Sequence, residues 1–263
     1  MFSSLKKSKF IAGALLGAAL SLSTVANATV VEVRTNVGNF QINLFDQETP
    51  ETVENFLSYV NSGSYANAVF HRSVPGFVLQ GGGFAYNNTF PPNGIAAGSP
   101  VVNEPVLSNV RGTIAMAKVG GNPNSATNQW FVNAVNNAGN LDNQNGGFTV
   151  FGQVLGDGMD VVDEILALNR FNYGSPFDTL PLKDFTAEQA SSGAEPTGDN
   201  LIVISDIVVI DSTVVTNPNL NPVRNTTVDA GGDDGDSDSG GSVGWLLVSV
   251  MSLFAIRKRM IAR

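Results

Sequence analysis

Short runs in which apolar residues recur at every second position dominate this chain, and they leave few folds open to it. Val31 and Val33 alternate with Glu32 and Arg34, and Phe40, Ile42 and Leu44 resume the alternation after Asn36-Val37-Gly38. A period of two sends successive side chains to opposite faces, so this stretch reads as a hairpin with one face buried. Further strands are expected at 68–74, 77–82, 113–118, 129–134 and 149–155, with a last one over 201–210. Only two stretches carry the helical period instead. Thr49-Pro50 supplies a capping hydroxyl and a proline at the first helical position, and Val53, Phe56, Leu57 and Val60 follow before Gly63. Met159, Val162, Ile165 and Leu166 repeat that spacing over 159–168. The expectation is a mainly β fold: a closed eight-stranded antiparallel β-barrel, its interior just filled by side chains, capped by two α-helices. The stretch 169–200 has scattered Gly, Pro and Ser and reads as a long loop.

Both ends look like addressing segments. Lys6, Lys7 and Lys9 precede an apolar run over 10–22, and Ala26-Asn27-Ala28 offers small residues at cleavage-site spacing. Residues 1–28 therefore read as a secretory signal peptide, with signal peptidase as a partner, and 29–213 as the folded domain. From 214 the core-forming period fades, and 214–240 reads as an acidic Gly/Asp/Ser-rich linker. Residues 241–263 combine a short apolar stretch with Arg257, Lys258, Arg259 and Arg263. With Gly240-Gly241 ahead of it, this tail resembles the bacterial Gly-Gly type of C-terminal sorting signal, which implies removal by a rhomboid-type protease; a permanent tail anchor is the other reading. Both ends are basic and free of acids, so the body between them is more acidic than the whole chain, whose net charge is −9. Such a body repels nucleic acid and anionic lipid. The expected location is the periplasm, the cell envelope or the exterior.

The 263 residues include no cysteine and a single histidine, which excludes thiolate chemistry, disulfides and multi-histidine metal centres. Gly156-Asp157-Gly158 lacks the third glycine of a dinucleotide fingerprint. Asp234, Asp236 and Asp238 have the opening spacing of a calcium loop, but Ser239 and Trp245 stand where glycine and glutamate are needed. His71 alternates with Phe70 and Arg72 in a short strand, and no serine sits in a nucleophile elbow, so His71 reads as a core residue.

What remains is Arg72 and its surroundings. Phe70-His71-Arg72, Pro75-Gly76-Phe77 and Gln80-Gly81-Gly82 resemble the signature of the cyclophilins, which are peptidyl-prolyl isomerases. The stretches 111–117, 122–131, 148–152 and 158–162 resemble the bacterial branch, in the right order. The resemblance implies a catalytic role for Arg72. It places Phe77, Val78, Phe131 and Leu141 around a proline pocket, with Gln80 and Gln129 holding the substrate backbone. Ala117 and Lys118 would form a strand-like rim beside the peptide, and Phe148 stands where many eukaryotic relatives carry a histidine. Asn140 replaces an aromatic wall residue, Lys118 an asparagine, and Trp130 a phenylalanine.

The chemistry needs no cofactor. An X–Pro bond exchanges its two forms over a barrier of about 18–20 kcal/mol because rotation breaks amide resonance, and no bond is made or lost. In the twisted state the prolyl nitrogen regains a lone pair and accepts a hydrogen bond, which a fixed cation can donate. The expected function is isomerisation of peptidyl-proline during the folding of exported proteins. The alternative is a non-catalytic module that holds proline-containing peptides.

Overall fold

The computed structural model describes residues 29–212 and 220–227. The two proposed addressing segments lie outside these residues, as do 214–219 and 228–240 of the expected linker. Among the described residues no helix is long and apolar enough to cross a membrane.

The chain opens with the expected hairpin, β1 (Val30–Thr35) and β2 (Asn39–Leu44), followed by α1 (Pro50–Asn61). Short strands β3 (Ala68–Val69), β4 (Arg72–Val74), β5 (Val78–Gly81), β6 (Phe84–Ala85) and β7 (Asn93–Gly94) come next. Then follow β8 (Thr113–Met116), β9 (Trp130–Asn133), α2 (Ala138–Leu141), β10 (Val150–Val154) and α3 (Gly158–Ala167). A small hairpin, β11 (Asn169–Phe171) and β12 (Leu180–Leu182), precedes α4 (Ala187–Ser191) and the last strand β13 (Val203–Asp211).

Among the described residues the main sheet has eleven strands, in the order β4-β5-β9-β8-β10-β2-β1-β13-β3-β6-β7. The stretch 68–74 explains its curl. Its first half, β3, pairs with β13, and its second half, β4, pairs with β5. Between them the Phe70 amide donates to the Ile202 carbonyl and the His71 amide to the Gln80 carbonyl. The sheet is thus a curled antiparallel one, with more and shorter strands than the eight expected. The 68–74 stretch counts twice, and β6 and β7 add a ladder that two-residue strands leave without a sequence period.

One face of the curl holds the main core. Phe56 from α1 packs against Tyr65, Trp130 and Phe151 at ring-centroid distances of 5.5, 6.1 and 5.1 Å. Val162, Ile165 and Leu166 from α3 join the same cluster. Each such fully buried side chain contributes about 1.5–3 kcal/mol relative to exposure. The N-terminus of α1 is capped differently from expectation. The Thr49 hydroxyl donates to the Phe45 carbonyl, and the distant Glu104 carboxylate accepts from the Thr52 amide at 2.9 Å and the Thr52 hydroxyl at 2.7 Å. A carboxylate there also suits the positive end of the helix dipole.

Two stretches expected to be irregular are built into the body. The 169–200 region holds β11, β12 and α4, and its Phe177, Leu180, Leu182 and Phe185 form a third apolar cluster with Val69 and Leu201. Three-residue strands are too short to show a period. Farther on, Arg224 bridges Leu107, the Ser108 amide donates to the Val223 carbonyl, and Asn225 is buried.

His71 lies in the core, edge-on to Phe84 at 4.9 Å. Burial, reinforced by the Arg72 cation, lowers its pKa from 6.5 to about 3. The unfolded chain gains this proton as pH falls through 6.5, and the folded chain does not until about 3. The contribution of neutral His71 is therefore complete above pH 6.5 and lost as pH falls across that window. Between pH 6.5 and 5, above the usual carboxylate range, stability should fall at a slope approaching about 1.4 kcal/mol per pH unit. Urea denaturation across this range checks it, and His71→Phe should flatten the slope.

Candidate active site

The strand register assembles the site. Arg72 on β4 stands opposite Gln80 on β5, and Gln80 opposite Phe131 on β9. Phe131 in turn stands opposite Ala115 on β8, and Ala115 opposite Val150 on β10. Directly opposed residues share a face, so these side chains form one row. The next row, Leu79, Val132 and Ile114, points into the main core. The alternation along each short strand therefore builds a core on one face and a second apolar cluster on the other. That second cluster contains Val78, Phe131, Leu141, Phe148 and Val150, with Phe77 and Ala117 packed at its edge.

Over this cluster opens a cleft. Phe131 and Phe148 meet edge-to-face there, with centroids 5.9 Å apart. Arg72, Phe77, Val78, Gln80, Leu141, Ala117 and Lys118 complete the lining from the sequence-nominated set. Gln129 does not reach the cleft. Its side-chain carbonyl accepts a 2.9 Å hydrogen bond from Gln80 Nε2, which orients the Gln80 amide from behind. Asn140, at the exposed side of α2, is not among the lining residues.

Arg72 is 8% exposed, yet among the described residues its guanidinium has no ion pair. The guanidinium lies over the face of Phe77, 5.9 Å from Cζ to the ring centroid. Burial lowers its pKa, and the field of Asp178 only partly offsets this. A guanidinium remains charged despite such a shift. The site thus holds a desolvated cation, pre-positioned beside an apolar wall and not neutralised by a carboxylate.

Lys118 lines the cleft, and its side chain turns inward. It is buried, and its ammonium donates to the Asn145 and Gly147 carbonyls while lying 4.7 Å from the centre of the Phe148 ring. Burial lowers its pKa from 10.5 to about 8. It acts as a brace between β8 and the 144–147 turn. That turn supplies lining residues absent from the sequence reading, Gln144 and Asn145, and Gly120 is a third. Asn145 adopts a left-handed backbone, φ 53°, and the run Asn145-Gly146-Gly147 was the available signal for a tight turn.

Comparison with known proteins identifies the family. Residues 30–187 match the family described as cyclophilin type peptidyl-prolyl cis-trans isomerase/CLD. A peptidyl-prolyl cis-trans isomerase of Acinetobacter baylyi is 42% identical over 173 residues, covering 65% of this chain and 87% of the relative. Peptidyl-prolyl cis-trans isomerase A of Dickeya dadantii is 41% identical over 167 residues, covering 62% and 84%. Peptidyl-prolyl cis-trans isomerase B of Escherichia coli K12 is 40% identical over 168 residues, covering 62% and 98%. With the family match spanning most of the folded body and these relatives covered over most of their length, the chain belongs to the cyclophilin-type peptidyl-prolyl cis-trans isomerases.

Proposed function

We propose that the X–Pro bond rotates in the cleft over Phe131, with Arg72 as the group that stabilises the twisted amide. The observation that carries this reading is the buried Arg72, which among the described residues has no ion pair, at the edge of a cleft walled by Phe77, Val78, Phe131, Leu141 and Phe148. Val78, Phe131, Leu141 and Phe148 hold the pyrrolidine ring while the acyl side turns. At the top of the barrier the prolyl nitrogen is pyramidal and basic, and Arg72 donates to it. The planar ground state offers that nitrogen no lone pair, so the interaction favours the transition state selectively. Gln80, held by Gln129, binds the substrate backbone.

A 10⁵-fold acceleration corresponds to about 7 kcal/mol. One charge-assisted hydrogen bond supplies about 1.5–3 kcal/mol. The remainder is assigned to desolvation, ring immobilisation and pairing of the peptide backbone with the edge near Ala117.

Phe77→Ala provides a graded test. The ring is half-buried and lies against the guanidinium, so its loss removes contact made equally in ground and transition states. KM for a proline tetrapeptide should rise by about 10-fold with kcat changed much less. An unchanged KM would remove Phe77 from the site.

The addressing segments support a location outside the cytoplasm, with unfolded exported proteins as clients, and signal peptidase and a rhomboid-type protease as processing partners. Mass spectrometry of the mature chain tests this. Termini near Thr29 and Gly241 support the reading, and an intact chain refutes it.

A further inference from the structure

We propose that residues 220–227 are a structural strap of the proline cleft, and that Asn225 is a positioning residue for the wall formed by Leu141 and Phe148. This inference rests on the reading that the cleft holds the prolyl ring. The strap reaches the cleft from behind. The Ser108 amide donates to the Val223 carbonyl at 2.8 Å, and the Asn225 amide to the Val106 carbonyl at 3.0 Å, so 223–225 runs as a short ladder along 106–108. Leu220 packs against the same apolar cluster that contains Phe131, Leu141 and Phe148.

Asn225 is the centre of the attachment. The residue is 3% exposed, and Nδ2 donates to the Pro105 carbonyl at 3.0 Å and the Asp142 carbonyl at 2.9 Å. Its Oδ1 accepts from the Thr227 amide at 2.9 Å, and the Thr227 hydroxyl lies 2.7 Å from that same Oδ1 and 3.0 Å from the Asp142 carbonyl, two acceptors that share its one proton. Asp142 directly follows Leu141, so these bonds fix the peptide unit beside one cleft wall.

The Asp142 carboxylate accepts from the Ser108 hydroxyl at 2.5 Å, the Asn109 amide at 2.7 Å and Asn109 Nδ2 at 3.0 Å. Asn109 Nδ2 also donates to the Phe148 carbonyl, and the Phe148 amide to the Leu141 carbonyl. Both walls of the ring site therefore hang on one network, and the strap is its outer member. The space is closely filled. A Cβ at Gly147 would lie 2.7 Å from the Asp142 carbonyl and 3.5 Å from Asn225 Nδ2. A passive linker would not place a buried asparagine on two carbonyls behind a binding cleft.

The test uses the full chain. Asn225→Asp keeps the acceptor for Thr227 but turns a carboxylate on the two carbonyls, whereas Thr227→Val removes one hydroxyl and Thr227→Ser restores it. With a proline tetrapeptide, well below the melting temperature, Asn225→Asp should raise KM by about 10-fold while kcat stays within about 3-fold. Thr227→Val should raise KM by about 3-fold and Thr227→Ser should return it to wild type. The Leu141 methyl resonances should shift in the two impaired variants. Ile165→Val, a cavity in the main core with a comparable loss of melting temperature, should leave KM unchanged. If Asn225→Asp does not fold, Thr227→Val and Thr227→Ser decide the matter alone. The strap is refuted if KM stays at the wild-type value in Thr227→Val, or if Ile165→Val raises KM equally. Arg72→Met run alongside separates the two readings. If it loses turnover while the strap variants keep KM, the strap alone falls. If it too keeps turnover, the cleft reading falls and the strap with it.

Discussion

Arg72→Met is expected to lower kcat/KM by about 10²- to 10³-fold, and the folded protein should be as stable as wild type or more so. The two effects share a cause. Arg72 is 8% exposed and, among the described residues, its guanidinium has no ion pair to offset its desolvation. An unpaired buried charge costs stability, and an apolar chain of similar length removes that cost. The same lack of a partner leaves its N–H groups available for the amide nitrogen at the barrier top. A structural arginine would behave oppositely, with stability falling and turnover following only as far as the fold was lost. Arg72→Lys keeps a charge but not the planar fork, and should recover only part of the rate. Isomerisation rates and thermal melts on the same samples check all three.

Gly82→Ala should destabilise the fold by about 3–5 kcal/mol, enough to leave a domain at the lower end of the usual stability range partly unfolded. Gly82 has φ +79°, and a Cβ there would lie 2.6 Å from the Asn128 carbonyl and 2.8 Å from Trp130 Cδ1. The backbone conformation alone costs about 1–3 kcal/mol for a residue other than glycine. The clash adds to it because the nearest atom is backbone, which cannot swing aside. Gly83 offers a contrast. Its Cβ would meet Gln129 Cδ at 2.6 Å, the end of a flexible side chain. Urea denaturation of Gly82→Ala gives the number, and a loss under 1 kcal/mol would show that the turn relaxes.

The sequence carried the site further than the fold around it. Arg72, Gln80 and Phe131 could be nominated before any register was known because residue type and spacing carried the family resemblance. The register then placed them side by side. The hairpin and both long helices were legible from their periods. Lys118 was not, because its partners are the carbonyls of Asn145 and Gly147, backbone atoms that composition does not reveal. The Glu104 cap on α1 is hidden for a related reason, since it spans about fifty positions of sequence. The 169–200 region packs through aromatic rings on strands of three residues, too short for a period. The strap attaches through Asn225, a residue type that reads as linker unless its burial is known.

The most direct test follows one peptide while it is bound. With a proline tetrapeptide at saturation, NMR line-shape analysis gives the exchange between bound cis and bound trans forms for wild type and Arg72→Met. The account predicts that the variant still binds the peptide, because the apolar walls remain, while bound exchange slows by at least about 100-fold. Bound exchange as fast in Arg72→Met as in wild type would contradict it.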